Sequence, residues 1–361
     1  MPKGIRWVFK IVSGIISLII IVSVIVVGGA IFFNSSPKRL TTPFELLHSD
    51  NTMKLEDDSL FLEIRNGESA SSVGQRLENS GVIRSRYFWN LLFRLDNEHI
   101  KTGTYKISLP ATQMEIRSIL ISGSQLLVRV TVPEGVTLKK AAKIIEEAGI
   151  CSADGFLAAT VLKEILDAYN IPGPSMEGYL FPDTYLFPLN YPASRVVSAM
   201  ADTFFSRLKT IAPGALGTQA ISPAELNRRV TIASIIEREY QISEEAPLIA
   251  GVFFNRLRIG MALQSCATVE YVITEVLGKP HPEQLFNRDL EIKDPYNTYL
   301  YPGLPPGPIS APGEIALRAA FNPASSDYLY FRLIDAGSGK HYFSKTLDDH
   351  IRAGSLYLKR R

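Results

Sequence analysis

The sequence predicts an α+β protein in which one N-terminal membrane helix precedes small α/β modules and a larger mixed α+β domain. Three observations carry this. Residues 11–33 contain no charged residue, two later stretches resemble each other at a constant offset, and from about residue 171 helical patterns alternate with loops rich in Pro, Gly, Tyr and Asn.

The run from Ile11 to Phe33 is dominated by Ile and Val, and as a helix it extends about 35 Å, enough to cross a bilayer core. Lys3, Arg6 and Lys10 precede it with no acid among them, whereas Lys38 and Arg39 are soon followed by Glu45 and Asp50. The positive-inside bias therefore makes residues 1–10 a cytoplasmic tail and puts the body of the chain across the membrane. Gly28-Gly29-Ala30 offers small residues for signal cleavage, but the apolar run is longer than a usual signal core and reads as an uncleaved anchor. The chain has 361 residues, 46% hydrophobic content and a net charge of +2, a size for two domains with no bias toward nucleic acid. Cys151 and Cys266 are widely separated and give no disulfide framework.

Residues 34–59, with Pro37, Pro43 and no sustained period, read as a tether. The repeat follows. Gly67 aligns with Gly135, Ser69 with Thr137, Leu77 with Ile145, Gly81 with Gly149 and Phe88 with Phe156, so 60–125 forms one unit and 126–170 a second related one. Each begins with a strand-like alternation, turns at Asn66-Gly67 or Glu134-Gly135, and continues as a helix ending at Gly81 or Gly149, where a C-cap is expected. This pattern suits a small sugar-binding module and plain scaffolding alike.

The remaining domain, 171–361, starts at the turn Ile171-Pro172-Gly173-Pro174, after a helical stretch from Cys151 to about Asn170. An irregular aromatic segment from Glu177 to Tyr185 comes next. Helices are expected over 193–208, 222–240 and 244–258, the last after a Ser243 cap. A long loop-like region then runs through Tyr296-Asn297-Thr298-Tyr299 and Gly303-Leu304-Pro305-Pro306-Gly307-Pro308, before a hairpin pairs 328–334 with 341–344.

The chemistry points to Glu237. Ser222-Pro223-Ala224-Glu225 reads as a capping box with proline at the first helical position, and the helix it opens carries Glu237 at the end of an apolar run. At about 100° per residue, Leu226, Val230, Ala233 and Glu237 share an inward stripe, while Glu239 lies about 160° away. A carboxyl on such a stripe either pairs with an arginine, for which Arg228, Arg229 and Arg256 are available, or stays protonated and serves as a general acid. No metal or other cofactor is implied: His48, His99, His281, His341 and His350 form no ligand cluster, and Gly337-Ser338-Gly339-Lys340 lacks the earlier glycine and the following hydroxyl of a phosphate loop.

Several blocks then occur in order: Glu177 to Tyr185, Ala233-Ser234-Ile235-Ile236-Glu237-Arg238-Glu239, Phe254-Asn255-Arg256-Leu257-Arg258-Ile259-Gly260-Met261, Leu263-Gln264-Ser265, Tyr296-Asn297-Thr298-Tyr299 and Gly303 to Ile309. Together they resemble the signature blocks of the endolytic murein transglycosylase (YceG-like) family. That resemblance implies a single-pass inner-membrane protein whose LysM-like region precedes a catalytic domain acting on peptidoglycan. It implies cleavage within newly made glycan strands to leave 1,6-anhydro-N-acetylmuramoyl ends, with the membrane as support and peptidoglycan synthases as candidate partners. It assigns the catalytic glutamate to Glu237, and it nominates Glu177, Tyr179, Asp183, Tyr185, Gln264, Ser265, Thr268, Asn297 and Tyr299 for substrate contacts. Each has a plainer role open to it: Tyr179, Phe181 and Phe187 as packing, Asp183 as a turn or cap, Asn255 and Arg256 as partners of backbone carbonyls. The sequence departs from the family where Cys266-Ala267 replaces a typical Asp-Pro pair. A hydrolase using Glu237 with Glu239 or Asp183, and a non-enzymatic wall-binding scaffold, are the competing readings.

Overall fold

The computed structural model describes residues 3–36, 53–56, 58–65, 67–96, 98–216, 221–335 and 337–357. Residues 1–2 of the expected tail, 37–52 of the expected tether, and the turn residues Asn66 and Ala336 lie outside the described residues. The chain is a mixed α+β protein with one N-terminal apolar helix, α1 (Lys3–Asn34). Within it Ile11–Asn34, 24 residues, is long and apolar enough to cross a membrane.

Two compact units follow from the contact pattern: Met1–Leu127 with Pro188–Asn190, and Val128–Phe187 with Tyr191–Arg361. In the first, β1 (Met53–Glu56), β2 (Ser59–Ile64) and, after two helices, β3 (Gly103–Ser108) form an antiparallel sheet with β2 central. Leu60 faces Ile107 and Leu62 faces Tyr105 across it, so alternate residues of β2 feed the core. Helices α2 (Ala70–Asn79), α3 (Arg86–Asp96) and α4 (Gln113–Ser122) supply the rest, with Trp89 fully buried and its indole N–H donating to the Ala70 carbonyl (2.7 Å).

The second unit opens within β4 (Leu127–Thr131), from Val128 on, and continues to α5 (Leu138–Glu147). Helices α2 and α5 begin and end at the same repeat positions, are capped by the aligned Ser69 and Thr137, and are each preceded and followed by left-handed glycines at 67, 81, 135 and 149. The repeat is therefore structural as well as sequential. The helical stretch expected to about Asn170 consists of α6 (Ala153–Thr160) and α7 (Lys163–Ala168), separated by Val161 and Leu162. The irregular segment ends in β5 (Thr184–Pro188), which pairs with β4.

Next come α8 (Ala193–Ile211), α9 (Pro223–Glu239) and α10 (Ala246–Arg258). Ser243 does not cap α10. It opens a 3-10 turn, Ser243–Glu245, and Pro247 sits at the start of the helix, where a missing N–H costs nothing. The long region expected to be loop contains two short helices, α11 (Cys266–Tyr271), extended by a π turn to Val276, and α12 (Glu314–Phe321). The expected hairpin forms as β6 (Tyr330–Asp335) and β7 (Lys340–Ser344), with Leu333 opposite His341 and an irregularity between Leu333 and Asp335, and α13 (Leu347–Tyr357) follows it.

Helix α9 is the axis of this unit. Val230 through Ile236 are all buried, so the helix is enclosed on every side and not along one stripe. Its Ser222 cap accepts from the Glu225 N–H (3.2 Å), but the Glu225 carboxylate turns to Arg229 (2.7 Å), leaving the capping box half formed.

Candidate active site

Enclosure of α9 ends at Glu237, which is half-buried and accepts the Gly313 N–H at 2.8 Å through Oε2. Burial pushes its carboxyl up to about 7 and the neighbouring Glu134 adds to this, against the Gly313 N–H, the Tyr240 hydroxyl and Arg238. Among the described residues no arginine forms an ion pair with it. Arg229 is held by Glu225 and the Ala320 carbonyl, and Arg238 pairs with Glu270 at 2.9 Å. Arg256 spends its guanidinium on the carbonyls of Leu329 and Leu263 (both 2.6 Å), and Asn255 donates to those of Ser326 and Tyr328, the plainer roles open to them.

One wall of the Glu237 site is a strap, residues 309–313. Ile309 N–H donates to Ser234 Oγ and Ser310 Oγ donates to the Ser234 carbonyl, both at 3.0 Å. Ala311 exchanges hydrogen bonds with Val136 and Gly135, both 2.8 Å, so the strap also grips the strand-to-helix turn of the second repeated unit. That turn brings Glu134 to the site: a Cβ on Gly313 would stand 1.8 Å from Glu134 Oε1, and one on Gly135 would stand 3.7 Å from Glu237 Cγ. Sequence reasoning missed Glu134. The available signal was that the second copy of the turn carries an acid where the first carries Asn66.

The opposite side of α9's end meets a second wall. Glu239, expected to point away, accepts a hydrogen bond from Ser265 Oγ, and burial raises its carboxyl to about 7, with Glu270 adding to the effect. It is covered because α9 is surrounded. Ser265 N–H donates to Thr298 Oγ1 (3.1 Å), Thr268 Oγ1 donates to the Ser265 carbonyl (2.7 Å), and Gln264 N–H donates to the Thr298 carbonyl (3.1 Å). Asn297 is fully buried; its amide donates to the carbonyls of Leu290 and Ile292 and its Oδ1 accepts the Tyr299 N–H. Tyr299 hydroxyl lies 3.2 Å from Cys266 Sγ, and Gln264 projects from a left-handed backbone (φ 51°) into solvent. Gln264, Ser265, Thr268, Asn297 and Tyr299 are thus brought together. Only Gln264 and Tyr299 present accessible side chains, the other three building the wall behind them.

The four candidates of the Glu177–Tyr185 segment are spent internally. Tyr179 is buried and donates to Asn227 (2.9 Å); Asp183 accepts the Thr184 N–H (2.7 Å) and pairs with Arg207 (3.2 Å); Tyr185 donates to the Phe181 carbonyl (2.6 Å). Glu177 caps α5, both oxygens accepting the Leu138 N–H at 3.2 Å, and burial pushes it up to about 8 against that bond. A carboxyl raised in the fold binds its proton more tightly there than in the unfolded chain. The stability it contributes is complete below about 4.5 and is lost as pH rises through about 8. Glu177→Gln should therefore stabilise the protein by roughly 2–3 kcal/mol at pH 9 and by much less at pH 5, as measured by chemical denaturation at both.

The profile of the YceG-like family matches residues 62–355, most of the chain and both walls of this site. The chain belongs to the YceG-like family. A Bacillus subtilis member named endolytic murein transglycosylase is 30% identical over 355 residues, covering 92% of this chain and 91% of its own. A Streptococcus pneumoniae protein of the same name is 28% identical across 80% of this chain, which spans 56% of that longer relative. A crystal structure of a YceG-like protein from Listeria monocytogenes matches with a TM-score of 0.53 at 30% identity, covering 82% of this chain and 99% of that one.

Proposed function

We propose that this YceG-like protein is an endolytic peptidoglycan lytic transglycosylase that cleaves MurNAc-GlcNAc bonds within nascent glycan strands and so limits their elongation. The observation that carries the reading is Glu237: a half-buried carboxyl with no ion-paired cation among the described residues, hydrogen-bonded to Gly313 and protonated up to about pH 7. The relatives' shared name supports the substrate class.

Glu237 donates its proton to the glycosidic oxygen as the bond to C1 breaks. The carboxylate left behind takes the proton of the muramoyl C6 hydroxyl as that oxygen attacks C1, so the acid is regenerated and no water enters the 1,6-anhydro product. Gln264 and Tyr299, accessible on the second wall, are the side chains best placed to bond sugar hydroxyls, with Ser265, Thr268 and Asn297 fixing their loop. Glu177, Tyr179, Asp183 and Tyr185 act as packing and capping groups behind the site. Helix α1 anchors the protein in the inner membrane as a single pass with its N-terminus cytoplasmic; the first α/β unit serves as a LysM-like glycan-holding module, and synthases are its candidate neighbours.

The test is digestion of defined glycan strands, with the products weighed. Muramoyl ends lighter by one water are expected. Ordinary reducing ends would replace this reading with hydrolysis, and intact strands would leave a non-enzymatic wall-binding role.

A further inference from the structure

Among the described residues, the charged or titratable side chains acting on Glu237 are Arg238 and Tyr240 from its own end of α9, and Glu134 from the turn of the second repeated unit. Arg238 is engaged by Glu270, which also lies 3.4 Å from His281, so its charge is largely answered elsewhere. Glu134 is different. Its side chain is exposed at the mouth of the site, and its carboxylate lies against the Cα of Gly313, whose N–H is given to Glu237. The two acids therefore flank one glycine, one half-buried and one open to water. The flanking peptide is fixed, because Gly135 and Val136 bind Ala311.

We propose that Glu134 is the electrostatic partner of the acid, set across Gly313 from it so that its carboxylate acts on Glu237 and on the sugar together. This rests on Glu237 being the general acid. When the proton passes from Glu237 to the glycosidic oxygen, the electrons of the C1–O bond leave with that oxygen and positive charge gathers on C1 and the ring oxygen. Glu134 neither gains nor loses a proton. A fixed anion there opposes that charge, and before the transfer it disfavours ionisation of Glu237, consistent with the raised titration of the acid. The absence of any Cβ at Gly313 is what gives the Glu134 carboxylate room.

The experiment uses the full chain in detergent micelles with uncrosslinked glycan strands, comparing wild type, Glu134→Gln, Glu134→Asp and Glu237→Gln. Glu134→Gln should lower kcat about 100-fold with KM within about threefold, and should move the alkaline limb of the rate profile to lower pH. Glu134→Asp, which restores charge on a shorter stem, should recover the limb and part of the rate. An unchanged limb with kcat within twofold of wild type overturns the proposal, as does a rise in KM with kcat intact, which would make Glu134 a simple binding group. Should Glu134→Gln melt early, Glu134→Ser takes its place: the same loss of kcat with the limb moved to lower pH upholds the proposal, and an unmoved limb with kcat within twofold of wild type overturns it. Glu237→Gln separates the two claims, since cleavage by that variant would remove the acid itself whatever Glu134 does.

Discussion

Replacing Glu237 with Gln should reduce glycan cleavage by at least about a thousandfold while leaving glycan binding within a few-fold of wild type. The carbonyl oxygen of Gln can still accept the Gly313 N–H, so the strap keeps its attachment and the two walls stay in place. What is lost is the transferable proton, and no other group at this point of α9 can replace it: Tyr240 titrates far above the physiological range, and Glu239 is turned to Ser265 on the other wall. The same substitution should not destabilise the fold at pH 8, because it removes a carboxyl whose ionised form is disfavoured by burial. In the wild type the rate should fall as pH rises through about 7, where the protonated acid is consumed. Turnover by Glu237→Gln within tenfold of wild type would mean that another residue supplies the proton.

The helix that carries Glu237 was legible in sequence, from its Ser222 cap, Pro223 at the first position and an apolar run ending in a carboxyl, but the choice of a catalytic role for that carboxyl came only from the family resemblance. What surrounds the helix was not legible. A single inward stripe would leave Glu239 facing water, but α10, α11 and α12 all pack on α9, and Ser265 and Glu270 of the α11 region stand against Glu239 despite its angle. Helix α12 escaped notice because it has only two turns and follows a Pro/Gly-rich stretch, where local punctuation argues for loop. Part of what holds Arg229 and Arg256 is a carbonyl roughly 70 to 90 positions away in each case, which no local pattern encodes. Glu134 was hidden for the same reason: its turn was read as part of a repeat, and only the pairing of Gly135 with Ala311 carries it to the acid.

Gly178→Ala should be a damaging small change at some distance in sequence from Glu237. Gly178 has φ 81°, a conformation that costs an alanine about 1 kcal/mol, and the new Cβ would stand 2.4 Å from Pro308 Cβ, 2.7 Å from Pro308 Cγ and 3.1 Å from Val230 Cγ1. None of these is the loose end of a flexible side chain. Pro308 is a ring fused to backbone and Val230 is buried in α9, so relief requires the main chain to move, and overpacking of this kind adds about 1–3 kcal/mol. A total near 3 kcal/mol should lower Tm by roughly 6–12 °C, whereas Gly214→Ala, with nothing within 4 Å of its Cβ and an ordinary backbone, should leave it nearly unchanged. The movement has a direction that matters for function. Pro308 leads directly into Ile309 and Ser310, whose bonds to Ser234 set the height of the strap, and the strap presents the Gly313 N–H to Glu237. Cleavage by the fraction that remains folded should therefore also fall, about tenfold or more, since displacement of catalytic groups by a fraction of an ångström is costly. A variant that melts early but cuts normally per folded molecule would show that the strap holds its position independently of Gly178, through its bonds to Ser234, Gly135 and Val136.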